Sequence, residues 1–320
     1  MPGSPTGGDS HINGLLTDVS VAFVQSAENF VAPNVFPPVP VTKQSNKVRT
    51  YGIADFARDE MEIRLPGTES AGGGYRISTV TYSCDTYALH KDVAWDDAAN
   101  DDLGKMDEDA ATWLAGKALI KQEVDFASSF MATGIWTTDR TGGTDFVVWS
   151  DLSSSPLEYI ETQCGVIEAR TGMWPTDLTL NRTGWSALKN HPDIVDRIKG
   201  AAGPGNPAMV TREAVAALME IKRINVSKAI KNTAQEGLAA SMSYIVGNHA
   251  LLSYAPDSPG LYTPSAGYTF RWNQYSASID GQSISTIPVP LKKSDRHEIE
   301  ANWDQKVISA DLGVFLSGVV

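Results

Sequence analysis

The feature that most constrains the fold is a long helical repeat in residues 101–131, DDLGKMDEDAATWLAGKALIKQEVDFASSFM. Apolar side chains recur there at alternating steps of four and three residues, with Lys117 as the one polar interruption, which is typical of one helix face. A helix over the whole stretch would be about 40–45 Å long, well above the average length in globular domains. We therefore predict a structural spine. Its predicted core positions are Met106, Ala110, Trp113, Ile120, Val124, Ala127 and Met131.

A glycine cluster lies upstream of this helix, in LPGTESAGGGYR. Gly67 and Gly72 have the first spacing of a phosphate-binding P-loop, but Gly73 and Gly74 stand where its lysine and its serine or threonine belong. A P-loop also leads from a strand directly into a helix, whereas a second strand-like segment follows here. We interpret the glycines as the tip of a long β-hairpin.

The segments on both sides of the tip alternate as strands do. The alternating side chains are Met61, Ile63 and Leu65 before the tip, and Tyr75, Ile77, Thr79, Val80, Tyr82 and Cys84 after it, with a bulge at Val80.

The N-terminal part of the chain predicts an arm. Residues 1–14 are rich in Gly, Ser and Pro and should be mobile in an isolated chain, and residues 15–26 have helical spacing. The four prolines of APNVFPPVPV exclude a helix and favour an extended segment. An extended apolar segment cannot bury itself, so we expect it to lie on another surface, of its own chain or of a neighbour.

The middle of the chain, residues 150–283, predicts a mixed α/β region. We expect a helix in SPLEYIETQCGVIEAR, a strand in TDLTLNR, two helical pieces separated before Pro192, a loop in GAAGPGNPA, a helix capped by Thr211, and buried strands in RINVSKAI and SYIVGNHALLSYA. The aromatic segment 254–275 is interpreted as an irregular surface segment. Residues 284–320 alternate again and predict terminal strands.

Composition and motifs argue against several classes of function. The formal net charge of -12 disfavours tight general binding to nucleic acid. We find no signal peptide, no apolar run long enough to span a membrane, and no C-x-x-C pair, and we predict a soluble intracellular protein with reduced Cys84 and Cys164. No nucleophile elbow or dinucleotide-binding motif is present. HEIEA at 297–301 lacks the second histidine of a zinc-protease helix.

An acidic cluster surrounds the predicted start of the long helix. Its members are Asp92, Asp96, Asp97, Asp101, Asp102, Asp107, Glu108 and Asp109. No register of the segment supplies the ligand spacing of a calcium loop, and carboxylates are favoured at the positive end of a helix. We predict a solvated helix start, no metal, no cofactor and no catalytic residue.

The order of these elements resembles the major capsid proteins of tailed bacteriophages, which have the Hong Kong ninety-seven fold. The segments that carry the resemblance are TGMWPTDLTLNRTGWSALKNHPDIVDRIKG, VGNHALLSYAPDSPGLYTPSAGYTFRW and DQKVISADLGVFLSGVV. The resemblance covers nearly the whole chain from about residue 15. It implies an α+β fold with an N-terminal arm (1–44), an extended β-hairpin or E-loop (45–92), a P-domain spine helix and strand (93–149), a mixed α/β A-domain (150–283) and C-terminal strands of the P-domain sheet (284–320).

The resemblance also implies a function and partners. The chain would be a structural, non-enzymatic subunit that forms pentamers and hexamers in an icosahedral shell around double-stranded DNA, without binding the DNA tightly or contacting a membrane. It would assemble in the bacterial cytoplasm with a portal, either with or without a cement protein. Because the sequence begins almost at the arm, we expect a separate scaffolding protein rather than a fused one.

The E-loop of this family reaches over an adjacent subunit. The candidate inter-subunit residues are Arg58, Arg64, Gly67, Glu69, Gly72, Gly73, Gly74 and Arg76, with further charges at Asp59, Glu60 and Glu62. Some members link an E-loop lysine covalently to a neighbour. This sequence has no lysine between Lys47 and Lys91, so that crosslink is not expected here.

Two alternatives remain at this point. A cellular nanocompartment shell, as in encapsulins, shares the fold and encloses cargo enzymes. A soluble α/β enzyme would instead use a metal bound by carboxylates between Asp96 and Asp109.

Overall fold

The computed structural model describes residues 25–101, 104–202, 210–260, 263–273 and 282–320. The α-helices are α1 (Ala32–Val35), α2 (Ile53–Phe56), α3 (Trp95–Asn100), α4 (Met106–Phe130), α5 (Pro156–Thr171), α6 (Arg182–Asn190), α7 (Pro192–Ala202) and α8 (Arg212–Leu218). The strands are β1 (Pro38–Val41), β2 (Ser45–Tyr51), β3 (Ile77–Ser83), β4 (Asp85–Ala94), β5 (Thr138–Thr141), β6 (Asp177–Asn181), β7 (Arg223–Ser227), β8 (Ile230–Asn232), β9 (Met242–Tyr244), β10 (Ala250–Ser253), β11 (Gly267–Trp272), β12 (Gln282–Val289), β13 (Ser294–Val307) and β14 (Gly313–Ser317).

The predicted spine exists as α4, a 25-residue helix about 37 Å long. It begins five residues later than predicted, because Gly104 adopts a left-handed φ of 61° and separates α4 from the short helix α3. Three acidic residues, Asp107, Glu108 and Asp109, lie in its first turn, where the helix dipole favours negative charge.

The buried face of α4 differs from the predicted one. The buried side chains are Ala110, Leu114, Ala118, Gln122, Glu123, Phe126 and Phe130. The predicted core positions Ala110 and Met131 are confirmed as buried, whereas Trp113 is 40% exposed. The other four predicted positions are only partly buried: Met106, Ile120, Val124 and Ala127. The prediction was based on the apolar residues alone, whereas the buried residues follow mainly four-residue steps. Two of them, Gln122 and Glu123, are polar, so the hydrophobic pattern of the sequence does not identify this face.

A first sheet, here called the spine sheet, lies against α4. Its strand order is β1-β11-β13-β12, and β4 also pairs with β13. The long strand β13 runs beside the helix. Near the helix start, His297 Nε2 lies 2.8 Å from Asp107 Oδ1, and further along Trp303 Nε1 donates to Asp125 Oδ2 at 3.0 Å. The side chain of Ile299 packs between these two contacts, against Leu114 and Ala118.

A second sheet, here called the central sheet, has the order β5-β14-β10-β6-β7. Helices α5, α6, α7 and α8 pack around it. The resulting cluster includes Ile160 and Ile167 of α5, Leu188 of α6, Ile194 of α7 and Val215 of α8. This is the main hydrophobic core of the described chain.

Strand pairing cuts across the predicted domain boundaries. The last strand, β14, was assigned to the P-domain but pairs with β10 and β5 in the central sheet. Strand β11 was assigned to the A-domain but pairs with β13 in the spine sheet. The chain therefore crosses between the sheets more often than its sequence order indicates, and neither residues 150–283 nor residues 284–320 pair within a single sheet.

The proline-rich arm also differs from its prediction. Residues Ala32–Val35 form a helical turn, which Pro33 tolerates because it lies in the first turn. The arm then becomes extended as β1, which pairs in parallel with β11. Phe36 packs on Phe130 with a ring distance of 4.5 Å. The arm thus lies on its own chain, one of the two expected surfaces. The helix expected over 15–26 falls almost entirely outside the described residues.

The E-loop hairpin is shorter in its strands than predicted. Strands β2 and β3 pair over seven residues, and the segment through Met61, Ile63 and Leu65 forms no strand because no partner strand lies beside it. The bulge expected at Val80 is absent, since β3 pairs with β2 in continuous register through that residue; β3 ends at Ser83, and the chain passes through Cys84 into β4. Since β4 pairs with β13, the hairpin ends near residue 83 rather than at residue 92.

Most elements of the middle region are confirmed. Helix α5 and strand β6 occupy the predicted segments, and α6 and α7 are separated immediately before Pro192. The Thr211 hydroxyl caps α8 by accepting from the backbone N–H of Ala214. The segment SYIVGNHALLSYA was predicted as a buried strand, which is confirmed for β10 but not for β9, since β9 (Met242–Tyr244) overlaps its start and is exposed. Most of the predicted loop GAAGPGNPA lies outside the described residues.

The interpretation of residues 254–275 as a surface segment is wrong in its second half. Residues 267–272 form β11, which lies between β1 and β13 and is buried along most of its length. Aromatic side chains here are part of a hydrophobic cluster, in which Phe270 stacks on Tyr82 with 4.6 Å between the ring centroids. Across the described ranges, no helix combines the length and the apolar character needed to cross a membrane.

Candidate assembly surface

The hairpin tip, residues 52–76, exposes a large amount of apolar side chain. Met61 is 95% exposed and Ile63 is 96% exposed, and Leu65 and Phe56 also lie mostly in solvent. Monomeric proteins seldom leave such a contiguous apolar surface uncovered, and a larger exposed patch usually marks an interaction site. We call this surface, centred on Met61, Ile63 and Leu65, the tip patch.

The base of the tip is held by its own contacts. Asp55 is 8% exposed at its side chain and joins the two ends of the tip: Oδ1 lies 3.3 Å from the Arg58 guanidinium, and Oδ2 accepts the backbone N–H of Arg76 at 2.9 Å. An aromatic cluster of Tyr51, Phe56 and Tyr75 packs beside it. Asp55 was not among the predicted residues, because one of its two partners, Arg76, is 21 residues away in sequence.

The predicted inter-subunit residues all lie in or beside this tip. Arg58 also pairs with Glu60 at 3.2 Å, and the Arg64 Nε–H donates to the Thr68 carbonyl at 2.7 Å. Gly67 has a φ of 84°, which closes the turn between them. The remaining candidates, Glu69, Gly72, Gly73, Gly74 and Arg76, are exposed.

The charges of the tip are predominantly acidic. Residues 52–76 contain five carboxylates, Asp55, Asp59, Glu60, Glu62 and Glu69, against three arginines, Arg58, Arg64 and Arg76, so the tip has a net negative charge. A surface that covers the tip patch would therefore need apolar side chains flanked by positive charge.

A second exposed surface has that character. Trp113 of α4 carries two lysines over its ring, with Lys91 Nζ at 5.9 Å and Lys117 Nζ at 5.3 Å from the ring centroid. In the spine sheet, Leu89 and Ile284 flank the buried Ile299 in one cross-strand row and are both exposed. We call this surface the spine patch, defined by Leu89, Lys91, Trp113, Lys117 and Ile284.

The acidic cluster does not converge on a cation site. Asp92 is bound by Arg296 at 2.7 Å and by Lys292 at 3.0 Å, and these hydrogen bonds hold the pKa of Asp92 well below its usual range. Asp107 faces His297. Asp102 lies outside the described residues. Among those that are described, no three His, Cys, Asp or Glu side chains are placed to hold a metal ion.

One serine–histidine pair is buried, but its geometry is structural. His191 Nε2 lies 3.1 Å from Ser154 Oγ and 3.2 Å from the Asp151 carbonyl. The Nδ1 atom accepts the backbone N–H of Asp193 at 3.3 Å, so the ring proton is on Nε2. A nitrogen that carries the proton cannot take one from the serine. This pair fixes the loop before α5 to the start of α7.

Both cysteines are buried and free. Burial raises the pKa of Cys84 and of Cys164 to about 12, so neither thiol is a reactive thiolate near neutral pH.

Comparison with known proteins gives full-length similarity to two curated relatives. No protein-family profile matches the sequence. The chain is 28% identical over 316 residues to the major capsid protein of Pseudomonas phage JBD67, covering 95% of this chain and 96% of that protein. It is 21% identical over 317 residues to the major capsid protein of Burkholderia phage BcepMu, covering 96% of both chains.

Solved structures show the same architecture. A phage-related protein from Bordetella bronchiseptica RB50 superposes with a TM-score of 0.67 at 20% identity, over 92% of this chain and 93% of that chain. The capsid of cyanophage P-SCSP1u gives a TM-score of 0.65 at 11% identity, over 97% and 93%. The SrpI encapsulin complex from Synechococcus elongatus PCC 7942 gives 0.57 at 11% identity, over 95% and 93%. The chain is therefore a homologue of phage major capsid proteins and has the phage capsid fold.

Proposed function

We propose that this chain is the structural subunit of an icosahedral shell that encloses the double-stranded DNA genome of a tailed phage. The observation that carries the proposal is the tip patch, which is exposed in the single chain and needs a second molecule to cover it. Full-length similarity to phage major capsid proteins supports the same function. Packing into pentamers and hexamers would repeat each contact throughout a closed assembly.

In this proposal the tip patch of one subunit covers the spine patch of its neighbour. Met61, Ile63 and Leu65 would bury apolar surface against Trp113 and Leu89. The acidic side chains of the tip would approach Lys91 and Lys117. Single exposed ion pairs contribute little, so burial of the apolar side chains is expected to supply most of the contact energy.

The test compares the wild-type chain with Arg64→Glu. Arg64 is exposed, and in the described contacts its Nε–H bonds the Thr68 carbonyl within the tip, so the variant should fold but lose the turn that presents the tip patch. The expected loss of assembly comes from this changed turn and not from charge, since an added carboxylate would by itself favour Lys91 and Lys117. We expect wild-type protein to form rings or shells by sedimentation and electron microscopy, and Arg64→Glu to remain as smaller species with an unchanged circular dichroism spectrum. Shells formed normally by the variant would exclude Arg64 from the contact.

The net charge supports a shell that encloses DNA without binding it tightly. At -12 the subunit offers little counterion release on binding a polyanion, and a wall that binds DNA weakly does not hinder packing. We expect weak binding of free capsomers to DNA by fluorescence anisotropy. Strong, salt-sensitive binding would contradict this part of the proposal.

The proposed partners are a separate scaffolding protein and a portal, either with or without a cement protein, and assembly is proposed to occur in the bacterial cytoplasm. Co-expression with a scaffold should be needed for shells of uniform size. Uniform, correctly sized shells from this protein alone would contradict the scaffold proposal. The subunit is proposed to have no enzymatic activity, in line with the structural role of its homologues.

A nanocompartment shell is the second candidate, because the encapsulin complex shares the fold over most of the chain. Such a shell should assemble without scaffold into small uniform particles. The sequence relatives favour the phage function.

A further inference from the structure

Glu123 is a fully buried carboxylate at the centre of the spine helix. Its Oε2 accepts two backbone N–H groups of the arm, from Val31 at 2.9 Å and from Ala32 at 2.8 Å. Its Oε1 accepts the hydroxyl of Ser227, at the end of β7, at 2.7 Å. One side chain thus joins the arm, the spine helix and the central sheet, which are about ninety or more positions apart in the sequence.

The arm segment around these contacts is also attached to the chain that follows β7, between the end of that strand and the start of β8. The Gln25 side chain pairs with both backbone groups of Ile230, accepting its N–H at 2.9 Å and donating to its carbonyl at 2.8 Å. The Lys228 N–H donates to the Asn29 carbonyl at 3.0 Å. We call residues 25–32 the latch segment, and Glu123 holds its C-terminal end.

The bonds to the carboxyl come from neutral groups only. The charged residues nearest to these contacts along the sequence are Glu28 of the arm, Arg223 in β7, Lys228 after it, Lys231 in β8, and Lys121 and Asp125 of α4. Arg223 is bound to Asp177, and Lys121 is paired with Asp125. In the described contacts, none of these charged groups hydrogen-bonds to Glu123, so a negative charge there is solvated only by two N–H dipoles and one hydroxyl.

Burial without a cation disfavours the ionised carboxyl. Loss of water raises the pKa of Glu123, and the hydrogen bonds from Ala32, Ser227 and Val31 oppose the rise without cancelling it. A carboxyl whose pKa is raised by folding contributes most to the docked state below its unfolded pKa. That contribution is lost as the pH rises through the raised pKa.

We propose that Glu123 is a pH-sensitive latch on the N-terminal arm: the protonated carboxyl holds the latch segment in place, and ionisation loosens it. In the protonated form Oε2 still accepts from Val31 and Ala32, while the proton on Oε1 is donated to Ser227 Oγ. In the ionised form, hydration lowers the free energy of the carboxylate. Water can reach the carboxylate only when the latch segment moves away from it. This inference concerns the single chain and does not rest on shell formation.

The test is hydrogen–deuterium exchange of the full-length protein over a range of pH, followed in peptides that cover residues 27–35 and corrected for intrinsic exchange. We expect protection in the wild type to fall with rising pH, by up to about tenfold per pH unit, the slope for one released proton. Glu123→Gln preserves the two accepted bonds, lets the amide donate to Ser227 and removes the charge. It should abolish the fall.

Glu108→Gln is the matched control, since it makes the same change at an exposed position of the same helix and should behave as the wild type. Equal pH dependence in the wild type and Glu123→Gln, or none in the wild type, would overturn the proposal. Should Glu123→Gln not fold, Ser227→Ala provides a second test. It removes a bond that lowers the pKa of Glu123, so the transition should move to higher pH. An unmoved transition would also overturn the proposal.

Discussion

At the residue scale, Phe130 is the strongest test of the observed helix face. Its ring is fully buried and packs against Phe36, Phe126 and Trp136. We expect Phe130→Ala to lower the free energy of unfolding by about 3–5 kcal/mol, the usual cost of removing a buried phenyl ring. Urea unfolding of the free subunit measures this.

Trp113→Ala is the control on the predicted face of the same helix. Because Trp113 is 40% exposed in the single chain, its truncation should lower the free energy of unfolding by clearly less than Phe130→Ala does. Equal losses in the two variants would support the face predicted from the sequence and contradict the observed packing.

A second residue-scale prediction concerns Asp92. Its pKa is lowered in the folded chain by hydrogen bonds from Arg296 and Lys292. Its contribution to stability is therefore present above the unfolded pKa and is lost as the pH falls through the folded one. Asp92→Asn should lower the melting temperature at neutral pH, and the gap to the wild type should close under strongly acidic conditions. A gap that is unchanged from neutral to strongly acidic pH would contradict this role.

Sequence reasoning at this scale succeeded where one local rule decides. The Thr211 cap follows from hydroxyl chemistry before a helical repeat and is observed. The buried face of α4 could not be identified, because Gln122 and Glu123 are polar and the partners of Glu123 are about ninety or more positions away in sequence. Asp55 was missed for the same reason, as one of its partners, Arg76, lies 21 residues further on.

At the element scale, two glycines differ in the room that each leaves for an added Cβ atom. The site of a Gly116 Cβ in α4 is open, so Gly116→Ala should stabilise the helix by about 1 kcal/mol. A Cβ on Gly313 in β14 would overlap the Trp136 ring, so Gly313→Ala should destabilise the protein by about 1–3 kcal/mol. Thermal unfolding of both variants checks the pair, and a stabilising Gly313→Ala would contradict the packing of β14.

Charge reversal tests the proposed contact between tip patch and spine patch. Glu62→Lys with Glu69→Lys should reduce assembly, and so should Lys91→Glu with Lys117→Glu, because each places like charges opposite one another. Combining all four should restore part of it. Sedimentation of the three proteins measures assembly, and a combined variant no better than either pair would argue against this pairing of surfaces.

The positions of helices and strands were predicted better than the pairing between strands. Helix α5, strand β6 and the break before Pro192 occupy the predicted segments, since hydrophobic period and proline act locally. Strand partners depend on the whole chain. The alternation through Met61 and Ile63 therefore predicted a strand that does not form, and β14, expected beside the other C-terminal strands, pairs with β10 and β5.

At the scale of the whole molecule, the order of elements carried the family resemblance, and full-length similarity to phage major capsid proteins confirms it. The assembly contacts are harder to predict from the sequence, because they join surfaces of two different molecules. One sequence does not show which of its surfaces contacts which. The acidic tip patch and the basic, apolar spine patch are both uncovered in the single chain, and their complementarity is the physical basis of the proposed shell.

Electron microscopy of the purified wild-type protein, at several concentrations and with and without a co-expressed scaffold, is the most direct test of that proposal. We predict closed shells, or rings of five and six subunits, in which density for the tip patch of one subunit lies on its neighbour. A monodisperse monomer or dimer under every condition would contradict the proposed function.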